Sequence, residues 1–134
     1  MTVAYTLTGA TATLTINKVT MHAKPSVGRP PRGKQDIAIN VKIIVTRGVV
    51  AKDGSGGYDA NANLGDVLQL ADGTVVDQAS GLGFDTKFMA QAALTTGQTG
   101  SGDLVFEAPQ GATAKILLLV SGPHGDGRLR ITLS

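Results

Sequence analysis

The chain has 134 residues, of which 42% are hydrophobic and 16% charged, with a formal net charge of +2. A length in this range is that of one domain able to bury a core, and the balance of apolar to charged residues excludes a disordered chain. With no Cys, disulfides, thiol nucleophiles, Cys-based zinc sites and iron–sulfur clusters are excluded, and with three Phe, two Tyr and no Trp the core falls to Val, Ile, Leu and Ala.

In chain order the dominant signal is alternation with a period of two. Residues 2–7 read as strand. Ala12, Leu14 and Ile16 then alternate with Thr11, Thr13 and Thr15. The phase slips at Asn17-Lys18, because Val19 and Met21 follow, and a bulge there re-aims the strand. Residues 23–34 form a loop. Across residues 36–46 the odd positions Ile37, Ile39, Val41, Ile43 and Val45 are apolar, which is the pattern of a half-buried strand. A second loop covers 52–63. Residues 67–70 and 74–76 form a hairpin through Ala71-Asp72-Gly73, since Asp-Gly between apolar runs favours a tight turn. Only 85–94, with Phe88, Met89, Ala92 and Ala93, could make a helical turn. Leu104, Phe106 and Ala108 alternate with Asp103, Val105 and Glu107. The run 116–120 is apolar on both faces and suits a strand covered on both sides. Leu129, Ile131 and Leu133 close the chain in alternation with Arg128, Arg130 and Thr132. Short strands with eighteen glycines between and within them predict an all-β, immunoglobulin-like antiparallel β-sandwich, with residues 1–134 as a single domain.

Two stretches carry a resemblance: Gln69-Leu70-Ala71-Asp72-Gly73-Thr74, and the run from Leu94-Thr95-Thr96-Gly97-Gln98 through Phe106-Glu107-Ala108-Pro109. They resemble the small secreted immunogenic antigens of mycobacteria and the wider telokin-like family of bacterial exported domains. In that family an Asp-Gly turn precedes a "Gly-Gln, small, Gly, strand, Phe-Asp/Glu-Val-Pro" segment. Ala108 stands where Val is usual. The strand at 39–45 followed by Thr46-Arg47-Gly48 is similar to the family's second strand, so the pattern covers residues 35–120. The resemblance implies an immunoglobulin-like sandwich, export from the cell, and no catalytic residues to carry over.

The residues themselves offer no convergent chemistry. His22 and His124 are the only histidines, and neither neighbours a Gly-x-Ser-x-Gly elbow. Ser101 sits in a Gly-Ser-Gly turn. Asp59-Ala60-Asn61-Ala62-Asn63 begins like a calcium loop, but Leu64 replaces the required Gly and Leu70 the bidentate Glu. Gly54-Ser55-Gly56-Gly57 lacks the Lys-Ser/Thr of a phosphate loop. Glu107 is the only Glu, so paired glutamates are absent. The expectation is a protein that is not an enzyme and uses no cofactor or metal.

Charge is unevenly distributed. Residues 1–52 carry eight Lys or Arg against one acid, while residues 53–114 carry one Lys against eight acids. The densest basic element is the Pro-stiffened loop holding Lys24, Arg29, Arg32 and Lys34, a candidate contact for an anionic envelope polymer, lipid headgroup or nucleic acid. Nucleic acid is disfavoured, because no basic stripe carries interleaved aromatics. Ile44, Val105, Leu117 and Leu119 are assigned to the face opposite the core, where they form a contact surface for a partner or a homo-oligomer unless the loop covers them. No apolar run reaches 18 residues, so none reads as a membrane-spanning helix. No basic stretch followed by an apolar one opens the chain, so export implies a signal peptide already removed. The functional expectation is a secreted or cell-envelope protein that acts by binding an unknown protein or anionic partner. The alternative is a structural decoration module of a phage particle, which a natural start at Met1 would suit.

Overall fold

The computed structural model describes residues 2–7, 10–51, 67–79, 83–85, 93–121 and 127–133. Among these, the elements are strands: β1 (Thr2–Leu7), β2 (Ala10–Thr20), β3 (Lys34–Ala51), β4 (Val67–Leu70), β5 (Val75–Asp77), β6 (Ala93–Thr95), β7 (Thr99–Pro109), β8 (Ala114–Ser121) and β9 (Gly127–Thr132). All pairings are antiparallel, in two sheets. One sheet runs β1-β2-β3-β6, with β7 also on β3, and the other runs β5-β4-β8-β9.

The long strand β3 organises the first sheet. Its odd residues from Ile37 to Val45 are 0% exposed, as alternation requires when one face meets a second sheet. They pack with Leu14, Leu104 and Phe106 of the same sheet and with Leu68, Leu70, Leu117 and Ile131 of the other. The domain is thus the expected all-β sandwich, held by aliphatic burial at roughly 25 cal/mol per Å² of apolar surface.

Two irregularities were legible. The β2–β3 register passes from Ile16↔Val41 to Lys18↔Asn40, so Asn17 is the extra residue of a bulge. The β4–β5 turn closes through Leu70 N–H to Thr74 O at 2.8 Å, Gly73 N–H to Leu70 O at 3.0 Å and Thr74 N–H to Asp72 Oδ1 at 2.8 Å. That carboxylate bond holds the Asp72 carboxyl below its usual range.

Three expectations need correction or limits. Leu117 does not belong to an outer patch: it faces Leu68 and Ile131 across its neighbouring strands and is 0% exposed within the core. The period-two phase of β8 therefore puts Ile116 and Leu118 on the other face. The stretch proposed as a helical turn lies mostly outside the described residues, and its end is strand, with Ala93 and Leu94 paired to Ala51 and Val50. His124, the loop at 52–63, the calcium-like segment at 59–64 and the side chain of Leu119 also lie outside what is described.

Candidate functional site

The outer face of the β2–β3–β7 sheet is where the basic loop lands. Its even β3 positions (Asp36, Ala38, Asn40) stand beside the odd β7 positions (Glu107, Val105, Asp103) in exact cross-strand pairs. Ala38 and Val105 face one another there, yet they are only 7% and 2% exposed. The cover is the loop together with the 83–85 segment: Pro25 and Val27 of the one and Phe84 of the other line a small cleft with Val105. Of the two arrangements expected for Val105, a contact patch or a covering loop, the cover is what forms.

The loop is fastened at its start, middle and end. Ala23 N–H donates to Asp36 O at 2.9 Å, Ser26 N–H to Gly83 O at 2.8 Å, and Gln110 N–H to Gly33 O at 3.0 Å. Lys34 N–H closes the final turn onto Pro31 O at 3.0 Å, where Pro30 and Pro31 fix the approach to β3. At the crossing with Gly83 the two backbones nearly touch. A Cβ on Gly83 would lie 2.6 Å from Pro25 Cβ, and its φ of +84° is itself a glycine conformation.

His22 enters the loop at φ +49°, a left-handed conformation uncommon for a side-chain-bearing residue. Its N–H is held by Gln35 Oε1 at 2.9 Å. Gln35, 1% exposed, is the buried polar residue among those described, and its Nε2 donates toward the carbonyls of Pro109, Gln110 and Ala112. One amide therefore ties the loop entry to the β7–β8 turn.

Three depressions surround the loop. A cleft of about 410 Å³ is lined by His22, Lys24, Arg29 and Lys34, with Asp36 as its acid. A groove of about 490 Å³ lies on the other side of Lys24, against Lys18, Asn17, Asn40, Asp103 and Phe84. The smallest, about 180 Å³, places Arg29 beside Asp36 and Glu107. Burial first, and the facing Glu107 second, push the Asp36 carboxyl above its usual range. Arg29 lines this cleft with the two carboxylates, while Lys24 and Lys34 line the larger one with it.

Of the four loop cations singled out from sequence, Lys24, Arg29 and Lys34 line the same cleft. Arg32 is exposed and lines none of the three depressions. Lys18, Asn17, Asn40 and Phe84 were missed as site residues. The slip of alternation at Asn17-Lys18 was their one sequence signal, since a bulge re-aims the side chains beside it.

Catalytic pairings do not assemble from the described candidates. Ser101 faces Lys42 on β3, while the His22 anchor is Gln35, about 23 Å away along the strand at ~3.3 Å per residue. Among the described residues no group of three His, Asp or Glu is placed to hold a metal ion.

No family model matches the chain, and no curated protein matches it in sequence. Its fold is similar to the crystal structure of MPT63, a secreted protein from Mycobacterium tuberculosis, with a TM-score of 0.66 over 98% of this chain and 92% of that one. The two sequences are 14% identical, so the likeness is one of fold.

Proposed function

We propose that the chain is an exported, non-enzymatic binding domain that grips an anionic polymer at the cell envelope or outside it through the loop between β2 and β3. The observation that carries this reading is the convergence of Lys24, Arg29 and Lys34 with His22 on one cleft. A solvated loop scatters its charges, whereas the backbone of this one is bonded at both ends and its middle, so the main-chain positions that carry the cations are set before a partner arrives. A loop whose backbone is already ordered loses less entropy on binding. The fold shared with a secreted protein supports export.

The test is retention on immobilised heparin and on anionic vesicles in low salt, comparing the native chain with a variant in which Lys24, Arg29 and Lys34 are all Ala. Polymer binding predicts salt-sensitive retention of the native protein and its loss in the variant, with both proteins melting alike. Equal retention of the two proteins would show that the loop is a solubilising element.

A further inference from the structure

We propose that the groove beside the loop is a sugar subsite, which makes the polymer a carboxylated polysaccharide; this rests on the polyanion reading above and adds to it the class of ligand. The groove joins the cationic cleft through Lys24, which lines both. Its floor is a bonded row across three strands. Asn17 Nδ2 donates to Asn40 Oδ1 at 3.0 Å, and Asn40 Nδ2 donates to Asp103 Oδ1 at 2.8 Å.

That direction of donation consumes the amide protons in the middle of the row. It leaves acceptor capacity at the two ends, on Asn17 Oδ1 and the remaining lone pairs of Asp103, beside one further amide proton on Asn17. A phosphate chain would bring acceptor oxygens against these acceptors. A pyranose brings hydroxyl protons, which both ends can take, and a network already locked gives the planar geometry such hydroxyls need. Phe84 supplies a half-buried aromatic surface for the apolar face of the ring. Lys18 and Lys24 then stand on the groove wall to meet the carboxylate, giving the charge-assisted contact that neutral sugars lack. An acyl chain is a poor occupant, since its tail would cover the polar row without satisfying it.

The experiment titrates the protein calorimetrically with oligogalacturonate, with polyphosphate of equal charge, and with phosphatidylglycerol vesicles. Asn17→Ala, an exposed change, and Phe84→Ala are run beside the native chain. Oligogalacturonate is expected to bind most tightly, and each variant to weaken it about fivefold, the worth of one modest contact, while leaving polyphosphate unchanged. Polyphosphate or vesicles binding as tightly as the glycan, with the Asn17 variant neutral, would overturn the sugar subsite and leave the polyanion reading standing. Binding of none of the three would remove both.

Discussion

Gln35 Oε1 accepts the backbone N–H of His22 at 2.9 Å, and this bond fixes where the basic loop leaves the sheet. The other end of the same amide serves three carbonyls with two protons. Removing it takes the partner from several part-buried backbone groups at once. Gln35→Ala is expected to lower stability by about 2–4 kcal/mol in urea unfolding. Gln35→Glu is more diagnostic. Ionised, it can only accept, and it faces carbonyl oxygens, so its native pKa must rise. A raised native value gives stability that is complete below the unfolded pKa of about 4.3 and falls as pH climbs through the native value. The gap between native chain and variant should therefore widen from pH 4 to pH 7, and a constant gap would mean the carboxylate has found a donor.

The contact between Gly83 and Pro25 gives a second prediction. Alanine at Gly83 would need to relieve a 2.6 Å approach while holding φ at +84°. Each demand is unfavourable, by about 1–2 kcal/mol for the left-handed backbone and about 1–3 kcal/mol for the overlap. The expected response is that the loop lifts, which breaks the 2.8 Å bond from Ser26 N–H to Gly83 O. Hydrogen exchange at Ser26 should accelerate well before global unfolding. Unchanged protection there would show that the 83–85 segment, rather than the loop, moves aside.

How much of this could be read from sequence follows from the physics of each signal. Alternation is local, so the faces of β3, the inward residues of β7 and the Asn17 bulge were all legible. The phase of β8 was not, because Ile116, Leu117 and Leu118 are all apolar and periodicity cannot choose between two apolar faces; the pairing of Leu117 with Leu68 and Ile131 chooses. Within the site, the loop cations were visible as a run of charge. Gln35 and Phe84 were not, since a single Gln before a strand and a single Phe in a Gly-rich stretch have no spacing to betray them. What makes them matter is a contact about 75 residues away in sequence for Gln35, with Gln110, and the crossing of two loops for Phe84.

The pair Asp36 and Glu107 makes stability depend on acidity. The two stand directly opposite on β3 and β7, and like charges in that relation are unfavourable. Burial and then Glu107 raise the Asp36 pKa. The native state holds that proton more tightly than the unfolded chain, so the contribution of this group is full below the unfolded value and is lost as pH rises through the native one. Asp36→Asn should then stabilise the domain at pH 7 by about 0.2–1 kcal/mol and make little difference at pH 3, read from urea midpoints. A variant less stable than the native chain at pH 7 would show that Arg29, which lines the same small cleft, outweighs the repulsion.

Deleting single residues from β2 tests the bulge. Ile16 and Val19 are three apart, yet both belong to the core side, Ile16 buried and Val19 packed against the cluster. Only an extra residue between them permits that parity, and the register identifies it as Asn17. Removing Asn17 leaves Ile16 and Val19 two apart, so the ladder becomes regular and the inward set is unchanged. The loss should be limited to the Asn17–Asn40 bond and the local twist, about 1 kcal/mol. Removing Thr15 instead makes Leu14 and Ile16 neighbours, and a period-two strand must turn one of them to the outer face. Both are core residues, so that deletion should cost at least about 2–5 kcal/mol, the range for emptying a buried Leu or Ile site. Chemical denaturation of the two deletions side by side checks the difference. If both lost the same stability, Asn17 would be an ordinary ladder residue and the bulge would lie elsewhere in β2.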